Sequence, residues 1–350
     1  MHPKSFLLAS LFVTAAAFAP TAQEAPLGSP STPNSKEKQA LESFKGKVKG
    51  KIVWSSSRSS SKHDIWIMNA DGTCPIELTK SPNAVDWFPR FSPDGKSVLF
   101  TRSKSGWVKE MDAEQNDLWD IWTVSVDGSN ERKVASDACW GTWRPDGKNI
   151  LFARCSKVFM KDLDSPGTSE SEVFDAEGFF GKKKVYAQQP ELSSDGKFLS
   201  MTVRGAMRET GIFNVATKKW NSTGGGCEIT WFPDMRALLR VNEGQGNGGT
   251  EILRIPIDTN GAPTVRTSGL TIPKELRFMD LPGRRSHEYF PRIDQKRGKW
   301  LVFCATQYGH EHDIADYEVY IWDVTTDKEK DFVRLTFHTA NDRWPDIFVE

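Results

Sequence analysis

Residues 308–317 are the stretch of the sequence best suited to chemistry, because two histidines and three carboxylates fall within ten positions. Neutral imidazole nitrogens beside carboxylate oxygens are ligands that a divalent transition metal such as zinc or manganese prefers. His310 and His312 would point apart on an extended strand, so both can bind one ion only if this loop is irregular. The alternative is that the histidines are solvated and the carboxylates cap turns.

The overall composition excludes several classes of function. The chain has 350 residues, and its 46 lysines and arginines balance its 46 aspartates and glutamates. A protein without net charge lacks the basic surface with which nucleic-acid binders recognise phosphates, so we expect no nucleic-acid partner. The sequence beyond residue 22 contains no Gly-x-Ser-x-Gly motif, which argues against a serine hydrolase. The five cysteines show no Cys-x-x-Cys spacing, which argues against a zinc knuckle.

The N-terminal residues predict export. Lys4 supplies a positive charge, and the apolar run 6–19 has the length of the hydrophobic region of a signal peptide. This run is too short to cross a bilayer, and no later segment reaches the required length of about 20 apolar residues. We therefore expect a signal peptide over 1–22, a periplasmic or secreted location, and no integral membrane segment.

The segment after the signal peptide differs from the rest of the chain in composition. Residues 23–48 are rich in Pro, Ser, Lys and Glu. Because segments of this kind bury too little apolar surface to become ordered, the sequence predicts a disordered linker here. The folded domain is predicted to span 49–350.

A repeated pattern organises this domain. The segments 64–72 (DIWIMNADG) and 120–128 (DIWTVSVDG) share an alternation of apolar and polar residues that ends in a turn, as in a strand that enters a hairpin. A second unit, 88–100, has the form strand, Pro-Asp-Gly turn, strand. Its copies recur at intervals of 39 to 62 residues, which suits four-stranded propeller blades. The equivalent positions, called the repeat markers below, are 89, 141, 190, 229, 291 and 345.

The two ends of the domain complete each other. The sixth copy, 343–349, supplies only the first strand of a blade, whereas residues 49–80 supply only the three strands that follow. One blade built from both ends would leave no sheet edge unpaired. The sequence therefore predicts an all-β fold, a six-bladed β-propeller of four-stranded antiparallel blades that is closed by a composite blade.

Residues 86–96 (DWFPRFSPDGK), together with 120–122 (DIW), resemble the propeller repeat of TolB, the periplasmic component of the Tol-Pal envelope system. Residues 335–345 (LTFHTANDRWP) open another copy. The resemblance covers about 300 residues and implies a propeller that binds a protein or peptide at its channel mouth without catalysis. The chain departs from TolB in one respect, since 26 linker residues leave no room for the α/β domain that precedes the TolB propeller.

The same repeat also occurs in oligogalacturonate lyases and in peptidase propellers, which implies an alternative function. On this alternative, the protein is a metal-dependent carbohydrate lyase or hydrolase. Such an enzyme also needs a base and a partner for the substrate's charge, and the candidates for the charge partner are Arg58, Arg90, Arg102 and Arg292. The candidate ligands of a zinc, manganese or calcium ion are His287, Glu288, His310, His312 and Asp313.

Propeller geometry brings the candidate residues to one face. The chain runs outward in each blade, so the linker into the first strand and the loop between strands two and three lie on the same face. Blades one, five and six place an acid three positions before the marker, which predicts an acidic channel mouth. The predicted binding residues there are Asp86, Glu288, Asp342, His338 and Trp107. The favoured hypothesis is a non-catalytic module whose partner is an envelope or extracellular protein or peptide, with a carbohydrate as a further candidate.

Overall fold

The structure is a computed structural model that describes residues 30–59, 62–110, 114–164, 170–243, 249–265, 267, 272–283, 285–307, 312–326 and 331–350. These residues form six four-stranded antiparallel sheets, which confirms the predicted six-bladed β-propeller. Each innermost strand contacts the innermost strands of both neighbouring blades, so the six blades form a closed ring.

The blades are described from the innermost strand outward. Blade one is β4 (Asp86–Phe91), β5 (Ser97–Ser103), β6 (Trp119–Ser125) and β7 (Arg132–Ser136), and blade two is β8 (Cys139–Trp143), β9 (Asn149–Arg154), β10 (Lys157–Asp162) and β11 (Ser171–Asp175). Blade three is β12 (Val185–Leu192), β13 (Phe198–Gly205), β14 (Glu209–Asn214) and β15 (Trp220–Gly224), and blade four is β16 (Cys227–Trp231), β17 (Ala237–Glu243), β18 (Thr250–Pro256) and β19 (Arg277–Met279). Blade five is β20 (His287–Ile293), β21 (Trp300–Thr306), β22 (Glu318–Asp323) and β23 (Val333–Arg334), and blade six is β24 (Asp342–Val349), β1 (Gly50–Ser56), β2 (Asp64–Asn69) and β3 (Ile76–Glu77).

The Pro-Asp-Gly turns join the first two strands of a blade as predicted. In blade one, Gly95 has a φ of +70°, and its N–H donates to the carbonyl of Ser92 at 2.8 Å. The Asp94 carboxylate accepts from the Ser92 hydroxyl at 2.6 Å and from the Lys96 N–H at 3.1 Å. Glycine is required at this position because a side chain there would be strained by the left-handed backbone and would meet the ring of Phe348.

The composite blade closes the ring as predicted. Strand β24 pairs antiparallel with β1, with Ile347 opposite Ile52 and Val349 opposite Gly50. Gly50 has a φ of +150°, and a Cβ there would overlap the carbonyl oxygen of Phe348, so the pairing at this end depends on glycine.

Every innermost strand also contains a β-bulge that the repeat pattern did not reveal. The residue before each repeat marker has a φ between +54° and +58°, and the strand pairing shifts register at this point. At a bulge, two residues oppose one residue of the partner strand. The side chains that follow it therefore lie on the opposite face from the one that simple alternation predicts. The six bulge residues are Phe88, Trp140, Gln189, Glu228, Phe290 and Trp344.

The structure corrects the prediction of a disordered linker for the second half of 23–48. Helix α1 (Ser35–Phe44) begins with a capping box, in which the Asn34 side chain accepts from the N–H of Glu37 at 3.0 Å and the Glu37 carboxylate accepts from the N–H of Asn34 at 2.8 Å. Phe44 packs edge-on against Trp300 with ring centroids 5.6 Å apart. The prediction failed because it used the average composition of the segment, which does not show that the apolar residues of α1 lie on one face. The blades bury this face.

The N-terminal predictions concern residues outside the described ranges. Residues 1–29 are not described, so the signal peptide over 1–22 stays a prediction. Within the part of the chain that the structure describes, neither α1 nor the short helix α2 (Ala176–Phe180) has the length and apolar composition needed to cross a bilayer.

Deleting residues 343–350 tests the composite blade. The deletion removes Trp344, Ile347 and Val349, which are almost fully buried, and each contributes about 1.5–3 kcal/mol by burial. This loss is comparable with the total stability of an ordinary domain, about 5–15 kcal/mol. We expect the truncated protein to aggregate or to lose its cooperative thermal transition in circular dichroism. Deleting exposed Glu350 alone is the control, and an unchanged melting temperature after the longer deletion would contradict closure by both ends.

Candidate functional site

The middle of the channel is filled by aromatic side chains from the bulges. Phe88 contacts Trp140 of blade two at 5.0 Å and Trp344 of blade six at 5.2 Å between ring centroids. Trp344 in turn contacts Trp140 at 5.5 Å and Phe290 of blade five at 3.7 Å. Since these residues meet from four different blades, the channel is divided into two separate mouths. We call them the linker face, where the blade linkers lie, and the turn face, where the Pro-Asp-Gly turns lie.

A buried arginine joins two loops across the linker face. Arg343 is fully buried, and its guanidinium donates to Glu110 Oε2 and to Asp313 Oδ1, each at 2.9 Å. Glu110 belongs to the long loop of blade one, whereas Asp313 belongs to the corresponding loop of blade five. The guanidinium also lies 4.5 Å from the ring of Trp87. These contacts hold the two loops together on the linker face.

His312 belongs to the same network. Its Nδ1 lies 3.1 Å from Glu110 Oε2, and its ring packs edge-on against Tyr289 at 4.7 Å. Burial by itself would lower the pKa of His312, but the Glu110 carboxylate raises it above its usual value. Burial likewise would raise the pKa of Glu110, but His312 and Arg343 hold it below its usual value. His312 and Glu110 therefore stabilise each other as an ion pair.

Two of the predicted binding carboxylates lie inside their own blades. Asp86 is fully buried and accepts from Arg102 Nε at 2.7 Å and Nη2 at 2.8 Å. Asp342 is also fully buried and pairs with Arg58, while its Oδ1 accepts from Trp54 Nε1 at 3.2 Å. These acids hold neighbouring strands together instead of facing solvent. The structure thus places neither of them on an acidic mouth.

The other predicted binding residues are also engaged in local packing. Glu288 is fully buried; its Oε1 accepts from the Leu281 N–H at 2.6 Å, and burial raises its pKa to about 8. Half-buried His338 accepts at Nδ1 from the Ala340 N–H at 3.1 Å. Trp107 is half-buried, with its ring 5.7 Å from the buried ring of His63, so it packs onto the blades instead of forming an exposed platform.

The predicted metal ligands are not assembled within the described residues. His310 lies outside them. The ring of His287 lies against Gly249 of blade four, whereas His312 bonds to Glu110 and Asp313 bonds to Arg343. Among the residues that the structure describes, no group of three or more His, Cys, Asp or Glu side chains could hold a metal ion.

The turn face has an open cavity of about 470 Å³. Five of the six residues that follow the repeat markers form its inner end, and the sixth, Thr230, contacts Arg292 beside them. We call these six residues, one from every blade, the polar ring. Trp143, Leu192 and Phe348 supply apolar walls closer to solvent. The sequence contained the signal for this ring, since all six positions are polar. The polar ring is Arg90, Thr142, Glu191, Thr230, Arg292 and Asp346.

Arg292 of the polar ring pairs with two carboxylates and one hydroxyl. Its Nε donates to Asp346 Oδ1 at 3.2 Å, and its Nη1 donates to Thr230 Oγ1 at 2.8 Å and to Glu191. Two of the four arginines predicted as charge partners, Arg90 and Arg292, therefore line the channel. The other two, Arg58 and Arg102, pair with the carboxylates inside their blades.

Comparisons with known proteins establish the fold. No family model matches the chain. An uncharacterised protein of Agrobacterium fabrum is 27% identical in an alignment of 147 residues that covers 38% of this chain and 44% of that protein. A protein from Agrobacterium tumefaciens assigned as TolB is 16% identical, with a TM-score of 0.52 over 85% of this chain and 99% of its own. A chain of the nidogen–laminin complex is 15% identical, with a TM-score of 0.53 over 85% of this chain and 98% of its own.

The substitution Glu288→Gln tests the burial of this carboxyl group. A folded-state pKa of about 8, above the usual 4.5, means that the folded protein holds the proton more tightly than the unfolded chain does. Stability should then fall as the pH rises from about 5 to 8, by up to about 1.4 kcal/mol per pH unit for one proton. Glutamine removes this contribution, so we expect a flatter dependence of the unfolding free energy on pH in urea titrations. Glu275→Gln, at an exposed position, is the control, and parallel curves for Glu288→Gln and the unmodified protein would contradict the prediction.

Proposed function

We propose that this TolB-like six-bladed propeller is a non-catalytic module. It binds a peptide or a segment of a partner protein in the turn-face cavity. One observation carries the proposal: the turn face has an open cavity lined by charged residues of the polar ring and by aromatic walls. The sequence-based hypothesis also placed binding at a channel mouth. It placed binding on the linker face, however, whereas we propose the turn face.

The lining of the cavity supports this function. A volume of about 470 Å³ lies within the range of about 300–1,000 Å³ that is common for ligand sites. Apolar walls supply most of the contact area, and the polar ring at the inner end can fix orientation. Rigid strands carry these residues, so little conformational entropy is lost when a ligand binds.

A location outside the cytoplasm is part of the proposal. The sequence of residues 1–22 has the pattern of a signal peptide. Structural likeness to a protein assigned as TolB, and to a chain of the nidogen–laminin complex, is consistent with an envelope or extracellular partner. Mass spectrometry of the protein from its native host should find a mature N-terminus between residues 20 and 26, and an intact Met1 form would contradict export.

A pair of matched substitutions tests which mouth binds. Ser194 is exposed at the rim of the turn-face cavity, and Lys109 is exposed in the loop on the linker face. Peptides would first be selected from a randomised 12-residue library on the unmodified protein. We expect Ser194→Trp to weaken their binding at least about tenfold, because the indole would occupy space at the mouth. Fluorescence anisotropy with labelled peptides measures the affinity.

The linker-face variant is the control. Lys109→Trp introduces the same bulk and should leave the affinity within about twofold. Selected peptides that lose affinity only with Lys109→Trp would place binding on the linker face. Peptides indifferent to Ser194→Trp would overturn the proposed use of the turn-face cavity.

A further inference from the structure

Arg90 is a buried cation at the inner end of the turn-face cavity. It is only 5% exposed, and its Nη1 donates to the carbonyl of Pro89 at 2.7 Å. Its guanidinium lies 3.7 Å from the centroid of the Phe88 ring, which orients the group and attracts its charge. Arginine has five N–H donors, and among the described residues Pro89 is the only acceptor within hydrogen-bond distance of Arg90. Its Nε is buried and unpaired there.

The nearest carboxylates are occupied by other donors. Asp346 accepts from the Phe91 N–H at 2.8 Å and from Arg292. Glu191 accepts from Arg292 and from Thr230 Oγ1 at 3.2 Å. Burial and the neighbouring Arg292 accordingly lower the pKa of Arg90 to about 9, even though carboxylates lie within electrostatic range.

The charges that line the cavity favour an anion. Four cationic side chains line it, against the two carboxylates of Glu191 and Asp346. At the rim, Arg144 shares its charge with Asp146 at 3.4 Å. An anion that enters past the rim would therefore reach Arg90, whose Nε has no partner among the described residues. The cationic lining residues are Arg90, Arg144, Arg292 and Lys296.

The neighbouring wall indicates that the anion is part of an organic ligand. The Nε1 of Trp143 donates to the carbonyl of Arg90 at 3.1 Å, which fixes the indole beside Arg90. Phe348 also lines this cavity. An aromatic surface adds little binding free energy for an inorganic ion, because the ion has no apolar surface to bury. The apolar part of a peptide can bury such surface against it.

We propose that Arg90 is the carboxylate-binding residue of the turn-face cavity, and that the ligand is a peptide whose carboxylate pairs with Arg90 while an adjacent apolar side chain packs on Trp143. The inference rests on the proposed function and specifies its ligand. The carboxylate comes either from the C-terminus of the peptide or from an Asp or Glu side chain, and both would accept two parallel hydrogen bonds from a guanidinium.

Modified peptides test the inference on the unmodified protein. Each peptide selected from the library is compared with its C-terminal amide, with a version in which Asp and Glu become Asn and Gln, and with a version that carries both changes. Loss of the engaged carboxylate should weaken binding about 10- to 100-fold, as expected for a hydrogen bond to a charged group. The single change that causes the loss identifies the source of the carboxylate.

Substitution of Arg90 tests the same contact from the protein side. In Arg90→Gln, the charged peptide and its neutral version should bind with equal affinity. Arg90→Lys keeps the charge without the planar group and should recover part of the difference. Arg236→Gln makes the same change of charge at an exposed position outside the cavity lining and should cost less than about threefold. A melting curve for each variant checks that it is folded, and the peptide modifications give the answer should Arg90→Gln fail to fold.

The outcomes separate the inference from the function on which it rests. Peptides that are blocked by Ser194→Trp but bind equally well without any carboxylate would overturn the inference and leave the proposed function intact. Peptides that are indifferent to Ser194→Trp would overturn the proposed function. A charged-to-neutral difference that persists in Arg90→Gln would also overturn the inference, because another cation would then hold the carboxylate.

Discussion

Six non-glycine residues, one in each innermost strand, hold φ angles of +54° to +58°. A left-handed conformation costs a residue with a Cβ about 1–2 kcal/mol, so glycine would suit the backbone better. Glycine would leave the channel empty, however. Phe88, Trp140, Phe290 and Trp344 instead pack against one another there, and the area that they bury offsets the strain. The packing inside the propeller thus depends on the positive φ at the bulge, which recurs in every blade.

The same bulge decides which side chains reach the channel. In blade one, Trp87 pairs with Thr101 but Arg90 pairs with Leu99, so Phe88 and Pro89 together oppose one residue. A shift of one residue exchanges the two faces of a strand. Simple alternation along 86–91 would therefore assign Arg90 to the wrong face. This is the physical reason why the sequence alone could not place Arg90 and Arg292, the two candidate arginines on innermost strands, at the channel.

How much of this structure the sequence predicts depends on how far apart the contacting residues lie in the chain. Blade number, hairpin turns and closure follow from local patterns that repeat, and the structure confirms them. Asp86 pairs with Arg102, its partner across the first hairpin, so this contact was within reach of a register argument. The contact of Arg343 with Glu110 joins residues 233 positions apart through an insertion that no other blade shares, and no repeat pattern predicts it. The helix over 35–44 was missed for a different reason, since average composition outweighed a visible capping signal at Asn34 and Glu37.

The two mouths differ because the two kinds of connection differ. On the turn face, each described Pro-Asp-Gly turn is short and returns directly into its own blade, which leaves the cavity open among the described residues. On the linker face, the loops between strands two and three are long enough in blades one and five to meet, and there Arg343 binds both of them. Breaking a buried, hydrogen-bonded ion pair is costly, so these two loops are held together. The polar ring lies on the side with short turns, and its charged residues line the cavity there. The peptide that we propose as ligand would therefore be selected at the turn face, where Arg90 keeps unused donors beside Trp143.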